Sequence, residues 1–455
     1  MKLRENQKLK LNIRKQGING EGIGYFNRIA VFVPGAIRKE VCNVEIVKSY
    51  DNYAVAKIID IERESTKRVA PPCKFYEDCG NCDMQHIEYR EQLKIKQLLL
   101  EQAFRRYTDL NMIKSKVKKT ITINEPYNYG NYADLVLRNT NFGLNMGYFK
   151  PNTNHFAYID KCIIKEEEIN NIAELALKLF RKHKLKANDL RNKEGILFNL
   201  VIRYFSDSDS ASIVIIVKEK NAKLTQIAEE LIEAFSSIKS VGYSVYNPNS
   251  KLTIYNPVEI LAGKDTITTN YHDFKIELNT EAYFPMNKLV LEKMDDYIIK
   301  NITIDKYDNI LNLYSLASIT SLNYAKYAKK IFAIDYANEN ISLAKTNIKT
   351  NNISNIELIK DHVEGVLPDL FKSKTKFDYV IFNPPKKGLS KVVIDLLNKY
   401  LPETLIYISK NPSTLAKDIN DLFANYSVRE IVPVDMNPQT AIIYSITILD
   451  RIKGE

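Results

Sequence analysis

Beyond residue 307 the chain alternates between short β-branched runs and amphipathic stretches, and this constrains the fold more than any other feature. Residues 308–314, 330–335, 355–360, 377–382 and 404–409 read as strands, and residues 338–349 read as one of the intervening helices. Strands and helices in strict alternation form a doubly wound α/β domain, expected here over residues 286–455. Asp335 closes the second strand. An acid there suits the hydroxyls of a cofactor ribose, and suits equally a helix N-cap before Tyr336.

The N-terminal segment has a different rhythm. Lys8-Leu9-Lys10-Leu11-Asn12-Ile13-Arg14 alternates with period two, and Gly17, Gly20, Gly22 and Gly24 then mark a turn. Residues 29–33, 42–47 and 54–61 supply further strands. Short strands following one another in so little chain predict an OB-like β-barrel over residues 1–65. Residues 1–70 hold 14 basic and 8 acidic residues, a net of +6 within a chain of +10 and pI near 9.0. That balance favours a polyanionic partner, nucleic acid first, against the plainer reading of a lysine-rich solvated surface. The start, Met1-Lys2-Leu3-Arg4-Glu5-Asn6-Gln7, has no apolar signal core, and no run reaches the ~18 apolar residues of a membrane span. A cytoplasmic protein is expected, where structural disulfides are rare.

Cys73, Cys79 and Cys82 are spaced C-x5-C-x2-C, and Cys162 follows far downstream. Four soft thiolates suit a tetrahedral zinc or an iron–sulfur cluster, although zinc more typically takes two C-x2-C-like pairs. Gly80 fits a tight ligand loop, and Cys42, in an alternating apolar segment, reads as core. Residues 66–285 otherwise read as an α+β block. Leu93, Leu99, Leu100, Ala103 and Phe104 fall at helical spacing, residues 198–204 and 212–217 read as strands, and residues 224–235 as a helix.

Tyr407-Ile408-Ser409-Lys410-Asn411-Pro412-Ser413-Thr414-Leu415-Ala416-Lys417-Asp418 resembles the catalytic loop of the RNA uracil-C5 methyltransferase family. In that family a cysteine stands at the position of Lys410, and its thiolate attacks C6 of uridine. The resemblance covers nearly the whole chain. The Arg68-Val69 and Pro71-Pro72 lead-in and the trailing Gln85-His86 resemble the family's [4Fe–4S] segment, which implies a cluster on Cys73, Cys79, Cys82 and Cys162. The barrel resembles a TRAM domain, the middle block the family's RNA-binding sheet, and the C-terminal block a class I S-adenosyl-L-methionine methyltransferase.

The departures fall where chemistry is done. The family's cofactor loop, Asp-Leu-Tyr-Cys-Gly-x-Gly-Thr, appears as Asn312-Leu313-Tyr314-Ser315-Leu316-Ala317-Ser318-Ile319, with both glycines replaced. Its Phe-Phe-Gln-x-Asn segment appears as Tyr283-Phe284-Pro285-Met286-Asn287, and its Asp-Pro-Pro-Arg as Asn383-Pro384-Pro385-Lys386. His362 stands where an acid follows the third strand. The Tyr-Arg-Asn-Lys motif survives only as Tyr132-Ala133-Asp134-Leu135, without its cations. Val434-Asp435-Met436-Asn437-Pro438-Gln439-Thr440 is kept, but Tyr444 replaces the glutamate that removes the C5 proton. A lysine with pKa ~10.4 and a tyrosine at ~10 are poor substitutes for a thiol at ~8.5 and a carboxylate. The expected cofactor site, Tyr314, Leu316, Pro285, Asp335 and Asn383, is degenerate, which argues for a filled or reshaped pocket and against S-adenosyl-L-methionine binding. The resulting expectation is a monomeric protein that binds rRNA or tRNA without methylating uridine. An active S-adenosyl-L-methionine-dependent RNA methyltransferase is the alternative. A third option is methyl transfer to an amino group, since Asn383-Pro384-Pro385 resembles the Asn-Pro-Pro-aromatic motif of amino-methyltransferases.

Overall fold

The computed structural model describes residues 3–109, 113–189, 194–373 and 375–453. Met1 and Lys2, at the start of the expected barrel, lie outside the described residues. Strands β1 (Lys8–Asn12), β2 (Lys15–Gln16), β3 (Gly22–Phe26), β4 (Ile29–Val33), β5 (Val41–Ser49) and β6 (Tyr53–Arg63) form one sheet in the order β1-β5-β6-β4-β3-β2. In β1, Leu9 and Leu11 face the core while Lys8, Lys10 and Asn12 face water, as period-two alternation requires. Cys42 is buried in the same core. The barrel is pinned to the cysteine segment by a two-pronged pair: Arg68 Nε and Nη2 donate to Glu40 Oε1 and Oε2 at 2.7 and 2.8 Å. Burial opposes the charge on Glu40, but the Arg68 bond and the amides of Ile37 and Ser65 outweigh it and leave its pKa lowered.

Helices α1 (Tyr89–Tyr107) and α2 (Ile113–Lys116) follow. A second sheet then assembles from β7 (Tyr132–Thr140), β8 (Gly143–Phe149), β9 (Phe156–Tyr158), β10 (Leu197–Phe205), β11 (Ser210–Val217), β12 (Ile238–Val245) and β13 (Glu259–Gly263), with α3 (Glu167–Lys182) and α4 (Lys223–Ala234) between strands. Its order is β13-β12-β11-β10-β7-β8-β9. Leu135, Leu137, Leu200, Ile202, Ile213 and Ile215 share a core with α3 and α4. Register puts Tyr132 opposite Arg203 and Asp134 opposite Val201, so these residues project from the other face. Asp134 and Asn199 border the cysteine loop there.

The hairpin β14 (Thr266–Tyr271) and β15 (Phe274–Asn279) leads into the last domain. Its elements are α5 (Lys288–Asn301), β16 (Asn309–Leu313), α6 (Ile319–Ala325), β17 (Lys330–Asp335), α7 (Asn338–Thr350), β18 (Ile356–Lys360), α8 (Val363–Lys372), β19 (Tyr379–Phe382), α9 (Lys391–Tyr400), β20 (Thr404–Ser409), α10 (Pro412–Asn420), β21 (Tyr426–Val434) and β22 (Tyr444–Arg451). The sheet runs β18-β17-β16-β19-β20-β22-β21, parallel except for β22. This is the expected doubly wound domain. Its chain order reverses between β16 and β19, which puts the ligand crevice beyond the carboxyl ends of those strands. Both faces are covered. Leu311, Leu313, Phe332 and Ile334 pack with Ile95, Leu99, Leu100 and Phe104 of α1, and Ile310, Ile331 and Ile406 pack with α5, α6 and the β14–β15 hairpin. Among the described residues no helix is long and apolar enough to cross a membrane.

Asp295 joins the hairpin to the last domain. Tyr271 Oη donates to its Oδ2 and Tyr324 Oη to its Oδ1, the latter at 2.8 Å. Burial raises its pKa to about 7, the two tyrosine bonds only partly opposing that. A carboxyl whose pKa is higher folded than unfolded binds its proton more tightly when folded. Its contribution to stability therefore falls as pH rises from about 4 to about 7, with a slope of at most about 1.4 kcal/mol for each step of one in pH. Asp295→Asn, with no proton to lose, should flatten that fall. Urea denaturation of both proteins at pH 5 and pH 7.5 measures it, and equal pH dependence would refute the assignment.

Candidate functional site

Strands β20 and β22 pair antiparallel with Ser409 opposite Ser445, so the residues flanking that pair, Lys410 and Tyr444, meet at one end of the sheet. Asn411 caps α10, its Oδ1 accepting from Ser413 N at 3.1 Å, and Pro412 takes the first helical position. That cap fixes the half-buried Lys410 in the crevice. Its Nζ stands 5.4 Å from the Tyr283 ring centre and 5.6 Å from that of Tyr444, a cation between two aromatic rings. Burial, and a hydrogen bond with Tyr283, push the Tyr444 hydroxyl far above the ordinary tyrosine range. The sequence singled out Lys410 and Tyr444. Tyr283 went unrecognised as their partner because nothing in the sequence places it beside β20.

The cofactor loop lies against this group. Tyr314, Leu316 and Ser318 have φ of 56°, 53° and 55°, left-handed values that favour glycine. The loop therefore holds a glycine-type backbone without glycine. The Leu316 amide donates to Asp335 Oδ2 at 2.9 Å, and Asp335 Oδ1 accepts from Ala337 N and Asn340 Nδ2, each at 2.9 Å. Asp335 is buried with its oxygens engaged within the chain, and it is not the helix N-cap: that position before α7 is Ala337, without a side-chain cap bond. Beside it the Tyr336 and His362 rings stack at 4.9 Å, 10° apart. Pro285, Tyr314, Leu316, Asn383, Lys410 and Tyr444 line one cavity, which measures about 70 Å³. Pockets that hold drug-sized ligands run to ~300–1,000 Å³. The cavity bordered by these residues is smaller than that range. Asn383 Oδ1 is buried without a partner. Arg203 is 6% exposed; its Nε and Nη1 lack partners and its guanidinium lies 5.2 Å from the Tyr132 ring centre, a buried cation that no motif in the sequence marks.

The cysteines come together from two distant segments. Cys73, Cys79 and Cys82 feel Cys162 electrostatically, and all four are half-buried free thiols. Burial pushes Cys79 up to about 11 and Cys82 up to about 12. Gly80 suits a tight approach: a Cβ there would stand 3.0 Å from the Phe149 carbonyl oxygen, so that backbone would have to give by a few tenths of an ångström. Lys165 is buried beside them, its Nζ 3.0 Å from Met286 Sδ, and Cys162, Cys82, Asp134 and Cys79 all favour its charge against burial. Among the described residues no three His, Cys, Asp or Glu side chains stand close enough to hold a single metal ion.

Between barrel and crevice runs a groove of about 920 Å³. Phe32, Tyr53 and Glu21 of the barrel form one wall, Tyr76, Cys82 and Asp83 of the cysteine loop the floor, and Lys386, Lys410 and Asn411 the other wall. Lys410 thus borders both the groove and the small cavity.

The profile of the tRNA (uracil-5-)-methyltransferase family matches residues 88–452, and that of the TRAM domain matches residues 2–59. An uncharacterised RNA methyltransferase of Listeria innocua is 32% identical over 98% of this chain and 98% of its own. One from Clostridium tetani is 28% identical over 98% and 97%. Among solved structures, a Pyrococcus abyssi tRNA (uracil-54, C5)-methyltransferase in complex with S-adenosyl-L-homocysteine shares the fold. Its TM-score is 0.78 at 22% identity, covering 97% of this chain and 99% of that one.

A left-handed residue with a Cβ costs roughly 1–2 kcal/mol. Ser318→Gly should therefore raise stability by about 1 kcal/mol, while Ser318→Ala, which keeps the Cβ, should not. Chemical denaturation of the two variants separates backbone relief from loss of the Ser318 Oγ–Ser315 Oγ contact.

Proposed function

This chain belongs to the tRNA (uracil-5-)-methyltransferase family, with an N-terminal TRAM domain, and on that premise we propose that it binds RNA without methylating uridine. The observation that carries the reading is the Leu316–Asp335 bond. The acid that would receive a ribose is held by the loop that should open for the cofactor. The chemistry agrees. C5 of uracil is a weak nucleophile until a thiolate adds at C6, and a base must then take the C5 proton. Lys410 brings no thiol to that position, and its Nζ stands against the Tyr283 and Tyr444 rings. Tyr444 holds its proton more tightly than a free tyrosine. The parts suited to grip a polyanion are residues 1–70, of net +6, and a groove lined by Lys386 and Lys410. The ligand on this reading is a tRNA or rRNA, met in the cytoplasm by a monomer.

The same premise extends to the thiols. Cys73, Cys79, Cys82 and Cys162 would hold a [4Fe–4S] cluster, whose chemistry here is to cross-link the loop to the central sheet. The buried Lys165 ammonium, which finds no carboxylate hydrogen-bond partner among the described residues, is suited to a negatively charged group of that kind. Anaerobically purified protein should be brown with about four irons per chain; zinc without iron would contradict this.

Titration of S-adenosyl-L-methionine into cluster-intact protein should give no heat of binding, and tritium transfer from labelled cofactor to unmodified rRNA and tRNA should be nil. Lys410→Cys alone should not restore transfer, because Leu316, Ser318 and Tyr444 still stand in the path and such groups act as a unit. Methylation by the unmodified protein would overturn the reading. Recovery by Lys410→Cys would show the cofactor loop to be competent.

A further inference from the structure

The barrel wall of the groove carries an aromatic cluster. Tyr50 and Tyr53 flank the β5–β6 turn, joined by the Tyr50 amide donating to the Tyr53 carbonyl at 2.9 Å. Their rings stack with centroids 4.4 Å apart and planes 18° apart, and Phe32 meets Tyr53 edge-on at 5.6 Å. Tyr53 is nonetheless 39% exposed and lines the groove. Its orientation is fixed before any ligand arrives, so little side-chain freedom remains to be lost on binding. Across the groove stand Lys386 and Lys410. Glu21 and Asp83 line the same space, so a polyanion would be steered away from them and toward the lysine wall.

An aromatic ring on one wall and cations on the other is the pattern that holds a nucleotide with its base exposed. Base stacking on an aromatic needs a free π-face, which a paired strand does not offer. We propose that an unpaired RNA strand occupies this groove, one base stacked on Tyr53 and the backbone against Lys386 and Lys410. This rests on the RNA-binding reading above and adds to it the strand state and the contact.

The test is fluorescence anisotropy of an end-labelled oligouridylate against the full chain, with an RNA duplex of equal length as competitor. Tyr53→Ala should weaken binding about 5- to 100-fold, the range of a single base–aromatic stack. Tyr53→Phe should retain affinity. Tyr53→Leu, which keeps an apolar group against Phe32, should lose it, separating stacking from folding. Lys386→Met should lower the slope of log K against log salt by about 0.7, one single-strand phosphate contact. An oligonucleotide carrying 2-aminopurine should be quenched by the unmodified protein and not by Tyr53→Ala. Unchanged affinity in Tyr53→Ala and Tyr53→Leu, or tighter binding of duplex than of single strand, would overturn the proposal while leaving RNA binding intact. No binding of either RNA at low salt would overturn both.

Discussion

Lys96 and Asp435 form an ion pair of 2.5 Å with side chains 1% and 0% exposed, and the site depends on it. A charge in that position is tolerated only with its partner, and removing one member of such a pair costs about 3–5 kcal/mol. The pair sews α1 to the turn that precedes β22. Around it Tyr89 donates to Asp435 Oδ2, Gln92 to Gln439 Oε1, and the amides of Asp83 and Met84 to the Gln439 carbonyl. That turn delivers Tyr444 to the crevice, and the segment before α1 carries Cys73, Cys79 and Cys82. One helix thus sets the distance between the thiol cluster, the groove floor and the Lys410–Tyr444 pair.

The crevice keeps the strand order of a doubly wound domain while the loop beside it carries side chains at left-handed positions. The strand order that creates it is intact, and Asn312 still bonds within the domain, to Ser321 Oγ. Side chains stand at three left-handed positions, of which Tyr314 and Leu316 line the cavity, and the Leu316 amide donates to Asp335. The barrel core shares no residues with the loop, while Lys410 borders both the groove and the cavity.

Much of this was legible in the chain. Period-two alternation in β1 and the strand–helix alternation after residue 307 determine barrel and doubly wound domain, because each pattern can bury its apolar face in one way. The left-handed loop could be anticipated at Leu316 and Ser318, where glycines are expected, and Lys410 and Tyr444 stand out as replacements. Their partners could not be read in the same way. Tyr283 falls in a segment that the resemblance marks, but nothing local sets it beside Lys410; Arg203 carries no local signal, and the Tyr53 cluster is three separate aromatics in sequence.

The sequence by itself determined which chemistry-bearing side chains exist and which elements carry them, since propensity and periodicity act over a few residues. It determined that four thiols are available, that the barrel is basic, and that neither a thiol nor a carboxylate stands at positions 410 and 444. Only the tertiary structure decided that Asp335 is taken by Leu316, that Lys410 lies between two tyrosines, and that Phe32 and Tyr53 face Lys386 across a groove. Those are contacts between residues up to hundreds apart in the chain, brought together by sheet register and by one buried ion pair, and no local pattern encodes a distance of that kind.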